Sequence, residues 1–516
     1  MQNPPDQSAL PAPPALLALL VLCSHLAVNF FSPYGFQRDE FLYLAMARHL
    51  RLWSMDFPPF IALAAKATIA TLGGSIVAVR FLPAVTGGLL VFLAALIARR
   101  LGGRRYAQLL AALAVALSPL FLRAGNLFQP VIFDQLWWTG ALYAVLSICG
   151  VQLAGRRTSG APWLLLGLAL GAGLLTKFSI AFIGVGIVVG ILATPLRRSL
   201  RTRWPWVALL IALVIGSPSI VGQLRLGFPV IGQMHDLQGS QLERVTPLAF
   251  LKGQWDMFGP VILLAILGLV QLLRSRYSAA GWAILATFIL LMILKGKPYY
   301  VGPIYPTLLA AGAVMVGSWV AGRESRVVRL LGYSLPALIV IAFGAISLPF
   351  GVPVLPPAQM DAYARRLGVT QETNTGEVIA LPQDYADMLG WEDQVRATAR
   401  VYDSLPPAKR NDAVILGTNY GRAGANDHLG RKYALPPSVA PMGSYWYFGP
   451  GKKPGKVLIV IGGSREDLAP YYDSVTLAAH LSNPWRVPEE REVDIWVATG
   501  NHYTLQEVWG RFKGEN

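Results

Sequence analysis

Arg38-Asp39-Glu40 puts a guanidinium and two carboxylates on consecutive residues. Neighbouring residues on a helix point about 100° apart, so adjacent carboxylates do not share a face. That spacing disfavours the paired arrangement in which two carboxylates flank one bond. It suits a division of labour: one carboxylate acts as a general base on a hydroxyl while a structural partner holds the other. A solvated loop cluster is the plainer reading of the same residues. Basic candidates lie further along. Lys177, in Leu174-Leu175-Thr176-Lys177, interrupts a long apolar stretch, where an ionisable group is costly and marks function unless it snorkels from a helix end. Lys295 and Lys297, in Lys-Gly-Lys-Pro-Tyr-Tyr beside Tyr299 and Tyr300, suit either an interface anchor or a clamp on a phosphate. Arg80 and Arg225 are weaker candidates of the same kind. Asp134 follows Asn126-Leu-Phe-Gln-Pro130, either capping a helix or facing a cavity where it binds hydroxyls. Asp56, in Asp56-Phe57-Pro58-Pro59, belongs to a turn that cannot continue a helix.

The elements that must position these residues follow from composition. The 516 residues are 54% hydrophobic and only 14% charged, whereas a soluble domain carries about 25% charge. Apolar runs centre on 15–32, 76–98, 106–122, 132–153, 162–177, 178–195, 206–222, 258–273, 280–295, 302–320 and 330–349. Each approaches the roughly 20 residues that cross a bilayer as a helix, which predicts about eleven membrane helices. The formal charge of +16 does not point to nucleic acid. Its bases fall in short clusters between apolar runs, at Arg99 to Arg105, Arg156-Arg157, Arg197 to Arg203, Arg274 with Arg276, and Arg323 to Arg329. With a cytoplasmic N-terminus and 162–195 counted as two crossings, all of these loops lie inside. The segments 33–75, 123–131, 223–257 and 296–301 and everything after 350 then lie outside. Residues 1–14 lack a basic n-region, and no A-x-A-like site follows them, so 15–31 reads as a retained first helix rather than a signal peptide.

Within the first outer segment, Leu42 to Leu52 reads as an amphipathic helix suited to the interface plane. The chain divides into a membrane domain, 1–349, and an extracytoplasmic α/β domain, 350–516. In the latter, Val378 to Leu381, Ala413 to Gly417, Val457 to Gly462 and Val493 to Ala498 read as strands, and Asp384 to Leu405 and Glu466 to Leu481 as helices. Gly417-Thr-Asn-Tyr-Gly-Arg-Ala-Gly424 follows a strand, but its spacing matches neither phosphate-binding glycine pattern, so it reads as a strand-to-helix turn. Cys23 and Cys149 offer no disulfide framework, the six histidines form no ligand cluster, and no metal is expected.

Together these residues resemble the bacterial members of the dolichyl-phosphate-mannose–protein mannosyltransferase-like group, glycosyltransferase family 39 and its relatives, of GT-C architecture. The resemblance runs through Tyr34-Gly-Phe-Gln-Arg-Asp39-Glu40, Arg48-His49-Leu50, Asp56-Phe-Pro-Pro59, Arg80-Phe-Leu-Pro83, Gly173-Leu-Leu-Thr-Lys177, Lys297-Pro-Tyr-Tyr300 with Tyr305-Pro306, Asn419-Tyr-Gly-Arg-Ala-Gly424 and Ser444-Tyr-Trp-Tyr-Phe-Gly449. Single motifs are weak; their order is specific. Phe57 stands where many members carry a histidine. The resemblance implies a multi-pass inner-membrane enzyme that inverts a sugar as it moves it from a polyprenyl-phosphate carrier to an acceptor hydroxyl at the outer face. The acceptor would be a protein, lipopolysaccharide or another lipid-linked glycan. It implies Asp39 as base, with Glu40 supporting the loop or the acceptor. The departing phosphate needs no acid but does need cations, for which Lys177 and Lys297 come first, then Lys295, Arg80 and Arg225. Asp134, Asp56, Tyr299 and Tyr300 would support the acceptor or the loops. No nucleotide cofactor is expected. The rival readings are a multi-pass transporter or lipid flippase, which would favour repeated halves and broken helices, and a receptor-like binding protein that uses the tail.

Overall fold

The computed structural model describes residues 12–153 and 160–512; Arg156-Arg157 and most of the polar N-terminal stretch lie outside them. The chain forms two compact units. The first combines Met1–Phe30, Arg80–Val221 and Gln241–Val352; the second combines Phe31–Val79, Gly222–Ser240 and Pro353–Asn516.

Every expected apolar run is helical. Seven helices among the described residues are long and apolar enough to span a bilayer: Ala12–Phe31, Ile76–Arg100, Pro130–Val151, Trp204–Leu226, Pro247–Leu273, Pro298–Ala321 and Arg326–Gly351. Two bent pairs, Arg105–Ala116 with Pro119–Gly125 and Ile180–Leu192 with Pro195–Arg201, raise the number to nine if each is one span. Two more of the expected eleven runs, Ala161–Thr176 and Ser278–Ile293, are apolar helices of 16 residues each, about 24 Å of helix against a core of about 30 Å. Residues 247–257, expected in a loop, instead begin the span Pro247–Leu273.

Small residues set the helix packing in the first unit. A Cβ on Gly312 would fall 1.9 Å from the Leu264 carbonyl oxygen, and one on Gly190 would fall 2.1 Å from that of Ala279. Such close backbone approach is how helices associate where burial in lipid supplies no hydrophobic drive.

The second unit centres on a mixed five-stranded sheet in the order Ser438–Val439, Ala413–Gly417, Val457–Ile461, Glu492–Asn501, Tyr472–Ser482. The first two pairings are parallel and the last two antiparallel. Alternation along the strands feeds two cores. Ile415, Ile459, Ile461 and Ile495 pack with Ala397, Val401 and Leu405 on one face. Val414, Leu458, Val460 and Ala498 pack with Tyr472, Leu505 and Trp509 on the other. Burial on both faces explains the unbroken apolar run Val-Leu-Ile-Val-Ile at 457–461. Two sequence expectations fail here. The helix expected at 384–405 is split by Gly390, whose φ of +76° no helix accommodates, into Gln383–Ala386 and Trp391–Ser404. The helix expected at 466–481 is a four-residue turn, Arg465–Leu468, followed by the edge strand Tyr472–Ser482. Pro470 cannot sit inside a helix, and Ser-Val-Thr prefers the pleated ladder.

Two helices of the segment Phe31–Val79 also belong to this unit. Arg38–Arg48, four residues earlier than the amphipathic segment was expected, packs against Tyr420–Leu429. Phe60–Thr71, which the sequence reading placed in a loop, follows the Asp56–Pro59 turn. The Gly421-to-Gly424 spacing places both glycines on one face of their helix. A Cβ on Gly421 would lie 2.6 Å from Arg38 Cγ, and one on Gly424 2.7 Å from Phe41 Cβ and 3.1 Å from the Phe41 carbonyl oxygen. Arg38 can swing aside, but backbone cannot. Gly424→Ala is therefore expected to destabilise the protein by about 1–3 kcal/mol through overpacking. The check is the fraction of purified full-length protein that stays monodisperse after heating in detergent. A heating curve matching wild type would show that the two helices do not need this close approach.

Candidate active site

Gln37 caps the helix Arg38–Arg48. Its side chain accepts the Asp39 N–H at 2.8 Å, and Glu40 Oε2 accepts the Gln37 N–H at 2.7 Å. This is a capping box, and it leaves Glu40 fully buried. The two adjacent carboxylates thus part company. Glu40 is engaged by the backbone, while Asp39, half-buried, turns elsewhere. Its Oδ1 accepts the Tyr420 hydroxyl at 2.8 Å. Tyr420 opens the helix Tyr420–Leu429, whose N-cap Asn419 accepts the Arg422 N–H at 3.0 Å. Arg38 donates to Glu489 at 2.8 Å, with Asp387 3.4 Å from its Nε.

Burial raises the Asp39 carboxyl above its ordinary value, opposed by the Arg38 charge and the Tyr420 hydrogen bond, with Asp384 and Glu40 adding repulsion. Asp387, buried beside Arg38, is pushed up to about 7, again chiefly by burial. A carboxylate of raised pKa is the better proton acceptor once ionised.

Asp56 serves the neighbouring turn. Its Oδ2 accepts the Ser444 hydroxyl at 2.6 Å, and its carbonyl accepts Gln223 Nε2 at 2.7 Å. Arg225 reaches the Trp53 carbonyl at 3.5 Å and is otherwise exposed. Phe57 lies against Tyr43, with ring centroids 6.2 Å apart.

The first unit holds a second cluster. Lys177 adopts an extended backbone between the helices Ala161–Thr176 and Ile180–Leu192. Its ammonium sits 4.9 Å from the Tyr300 ring centroid and 5.9 Å from that of Tyr299, within cation–π range. It also interacts with the charge of Asp134. Asp134 is not a helix cap. It is the fifth residue of Pro130–Leu153, buried, and it accepts Trp138 Nε1 at 3.0 Å and the Ser179 hydroxyl at 2.7 Å. Arg80 is fully buried and donates to Asn29 Oδ1 at 3.1 Å, so it presents no open face to a ligand. Lys295 is exposed just beyond the helix Ser278–Ile293, with φ at +55°. Lys297 caps the 3-10 turn Pro298–Ile304 that carries both tyrosines. The structure therefore gathers Lys177, Asp134, Tyr299 and Tyr300, and leaves Arg80 and Arg225 in other surroundings. Among the described residues, no group of three His, Cys, Asp or Glu side chains is placed to hold a metal.

Sequence reasoning did not assign Tyr420 a role. Its motif stood out, but its partner is 381 residues away, and only the fold supplies that pairing.

Residues 56–221 match the family model described as dolichyl-phosphate-mannose-protein mannosyltransferase. No curated protein sequence matches the chain. The fold is similar to that of ArnT from Cupriavidus metallidurans bound to undecaprenyl phosphate, with a TM-score of 0.61 at 16% identity, covering 94% of this chain and 97% of that one. The apo structure of the same protein gives a TM-score of 0.61 at 17% identity with the same coverage. Neither the fold nor the family match favours a transporter. The chain thus combines apolar spans, a fold similar to that of ArnT and a segment, 56–221, that matches the mannosyltransferase family model.

Proposed function

We propose that this enzyme moves a sugar from a polyprenyl-phosphate carrier to an acceptor hydroxyl on a lipid-linked glycan or a protein, at the outer face of the inner membrane and with inversion. One observation carries the assignment of roles: Glu40 is fully buried in a capping box, whereas the Asp39 carboxylate is half-buried and accepts the Tyr420 hydroxyl. Asp39 is then the base that takes the proton from the acceptor hydroxyl as the hydroxyl oxygen attacks the anomeric carbon. The bond from that carbon to the carrier phosphate breaks, and the phosphate leaves as a stable anion. It needs no acid, only cationic stabilisation as charge builds. Lys177, the buried-side cation beside Tyr300 and Asp134, is proposed for that role, with Lys297 as a second cation. Asp134 holds Lys177 oriented, and Asp56 holds the loop through Ser444. That ArnT was captured with undecaprenyl phosphate supports a carrier of this class. Residues 1–349 and 350–516 are proposed as the membrane and extracytoplasmic parts, with the N-terminus in the cytoplasm.

The test is transfer of labelled sugar from a panel of polyprenyl-phosphate donors in membranes. Asp39→Asn, still folded, is expected to lose transfer by about 10²-fold or more, the scale of a general base. Unreduced transfer would remove Asp39 from the mechanism. Lys177→Met is expected to lower the turnover rate more than it weakens acceptor binding, because a charge that matters as phosphate departs acts in the transition state. A change confined to the acceptor KM would sink that role.

Tyr420→Phe supplies a pH test. The lost hydrogen bond favoured the ionised carboxylate, so its removal raises the Asp39 pKa further. The acid limb of the pH–rate profile should move to higher pH, while the rate on the plateau falls less. An unmoved limb would separate Tyr420 from the titrating group.

A further inference from the structure

A cleft of about 260 Å³ in the second unit has no part in the chemistry above, and four arginines line it: Arg396, Arg400, Arg486 and Arg491, with Asp393 as the acid in that wall and Ser482 beside them. Its walls are the helix Trp391–Ser404 and the segment joining the strands Tyr472–Ser482 and Glu492–Asn501. Arg396 and Arg400 lie four residues apart, so one helix face carries two like charges, a spacing that weakens a helix. Arg396 is partly offset by Asp393, 3.7 Å away, and by Glu392, and it also hydrogen-bonds Tyr433. Arg400 is exposed and makes no hydrogen bond or ion pair among the described residues.

The other two arginines are held in place. Arg486 is 3% exposed, stacks on Trp391 at 4.5 Å and reaches Glu490 Oε2 at 3.4 Å. That same oxygen already accepts Arg422 Nε at 3.0 Å, so one carboxylate oxygen serves two guanidiniums. The nearby Asp387 lies against Arg38. Arg491 donates its Nε to the Arg486 carbonyl at 3.2 Å, which orients its remaining N–H groups. Gly390 makes room for this arrangement: a Cβ there would fall 2.8 Å from Arg486 Cδ. Three guanidiniums held by neighbours and a fourth, Arg400, with none among the described residues line one small cleft, a set suited to a tetrahedral oxyanion, since the planar fork matches phosphate two bonds at a time.

We propose that this cleft binds a phosphate monoester carried on a sugar or on a lipid headgroup. The cleft is larger than phosphate alone requires, and Ser482 and Asp393 offer hydrogen-bonding partners to hydroxyls next to the phosphate.

The full-length protein in detergent is titrated with glucose 1-phosphate, with glucose as the neutral control, and separately offered vesicles of phosphatidic acid in phosphatidylcholine. Arg396→Gln with Arg400→Gln is the variant, since both side chains are exposed and away from the cores, so the fold is not at risk. Saturable binding of the sugar phosphate but not of glucose, weakened about tenfold or more in the variant, supports the proposal with a carbohydrate as the source. Binding to the acidic vesicles alone, with the same loss in the variant, supports it with a lipid headgroup as the source. Absence of saturable binding to either probe at millimolar concentration, or binding that the variant leaves unchanged, overturns it. None of these readouts depends on sugar transfer, so the result stands apart from the roles given to Asp39 and Lys177.

Discussion

The close packing of the helix Arg38–Arg48 on the helix Tyr420–Leu429 is the constraint on which the rest of the second unit depends. Gly421 and Gly424 let the two backbones approach. That approach brings the Tyr420 hydroxyl within 2.8 Å of Asp39, and it brings Arg48 within 2.8 Å of the Asp427 carbonyl. Around the contact, Ala45, Ala423, Ala440 and Tyr445 form a small core with Leu42 and Phe448 at its rim. His49 stacks on Phe448, with ring centroids 4.1 Å apart. A hydrogen bond to a carboxylate is stronger than one between neutral groups, but only where geometry is held. Here the holding is done by small residues and aromatic edges rather than by the polar groups themselves.

Charge is handled differently in the two units. In the second unit the acids and bases near the first loop are numerous and shared: Arg38 lies between Asp387 and Glu489, and Arg422 and Arg486 meet on Glu490. Breaking one partner of such a buried set strands the other, so these residues resist piecemeal change. In the first unit the corresponding group is sparse: one lysine, one aspartate, two tyrosine rings, a serine and two tryptophans that tie Asp134 and Thr176. In a hydrocarbon setting each polar atom must find its partner inside the protein, and the short list of partners is the result.

The membrane character and the apolar runs were legible in the sequence because hydropathy is a local property. That Asp39 and Glu40 would take different partners was legible too, because the angle between neighbouring residues is set by the helix alone. Other features were not. The sequence left Asp134 open between a helix cap and a cavity-facing group, because its partners Trp138 and Ser179 come from the next turn and from the turn before another helix. Residues 466–481 read as a helix, yet pairing with Glu492–Asn501 makes most of them a strand. The motif at 419–424 was visible as a pattern but not as a purpose: its glycines answer to Arg38 and Phe41, and the first loop must be in place before they mean anything.

The same long-range pairing has a consequence for biosynthesis. The carboxylate proposed as base is made early and its tyrosine late, 381 positions further along the chain. Loop closure over such a length is entropically costly and slow to find. A chain still emerging at the membrane therefore carries Asp39 without the helix that orients it, and it gains that helix only when the C-terminal sheet has formed. If Asp39 is the base, the partner that orients it arrives with the tail, so the geometry of the first loop is completed last.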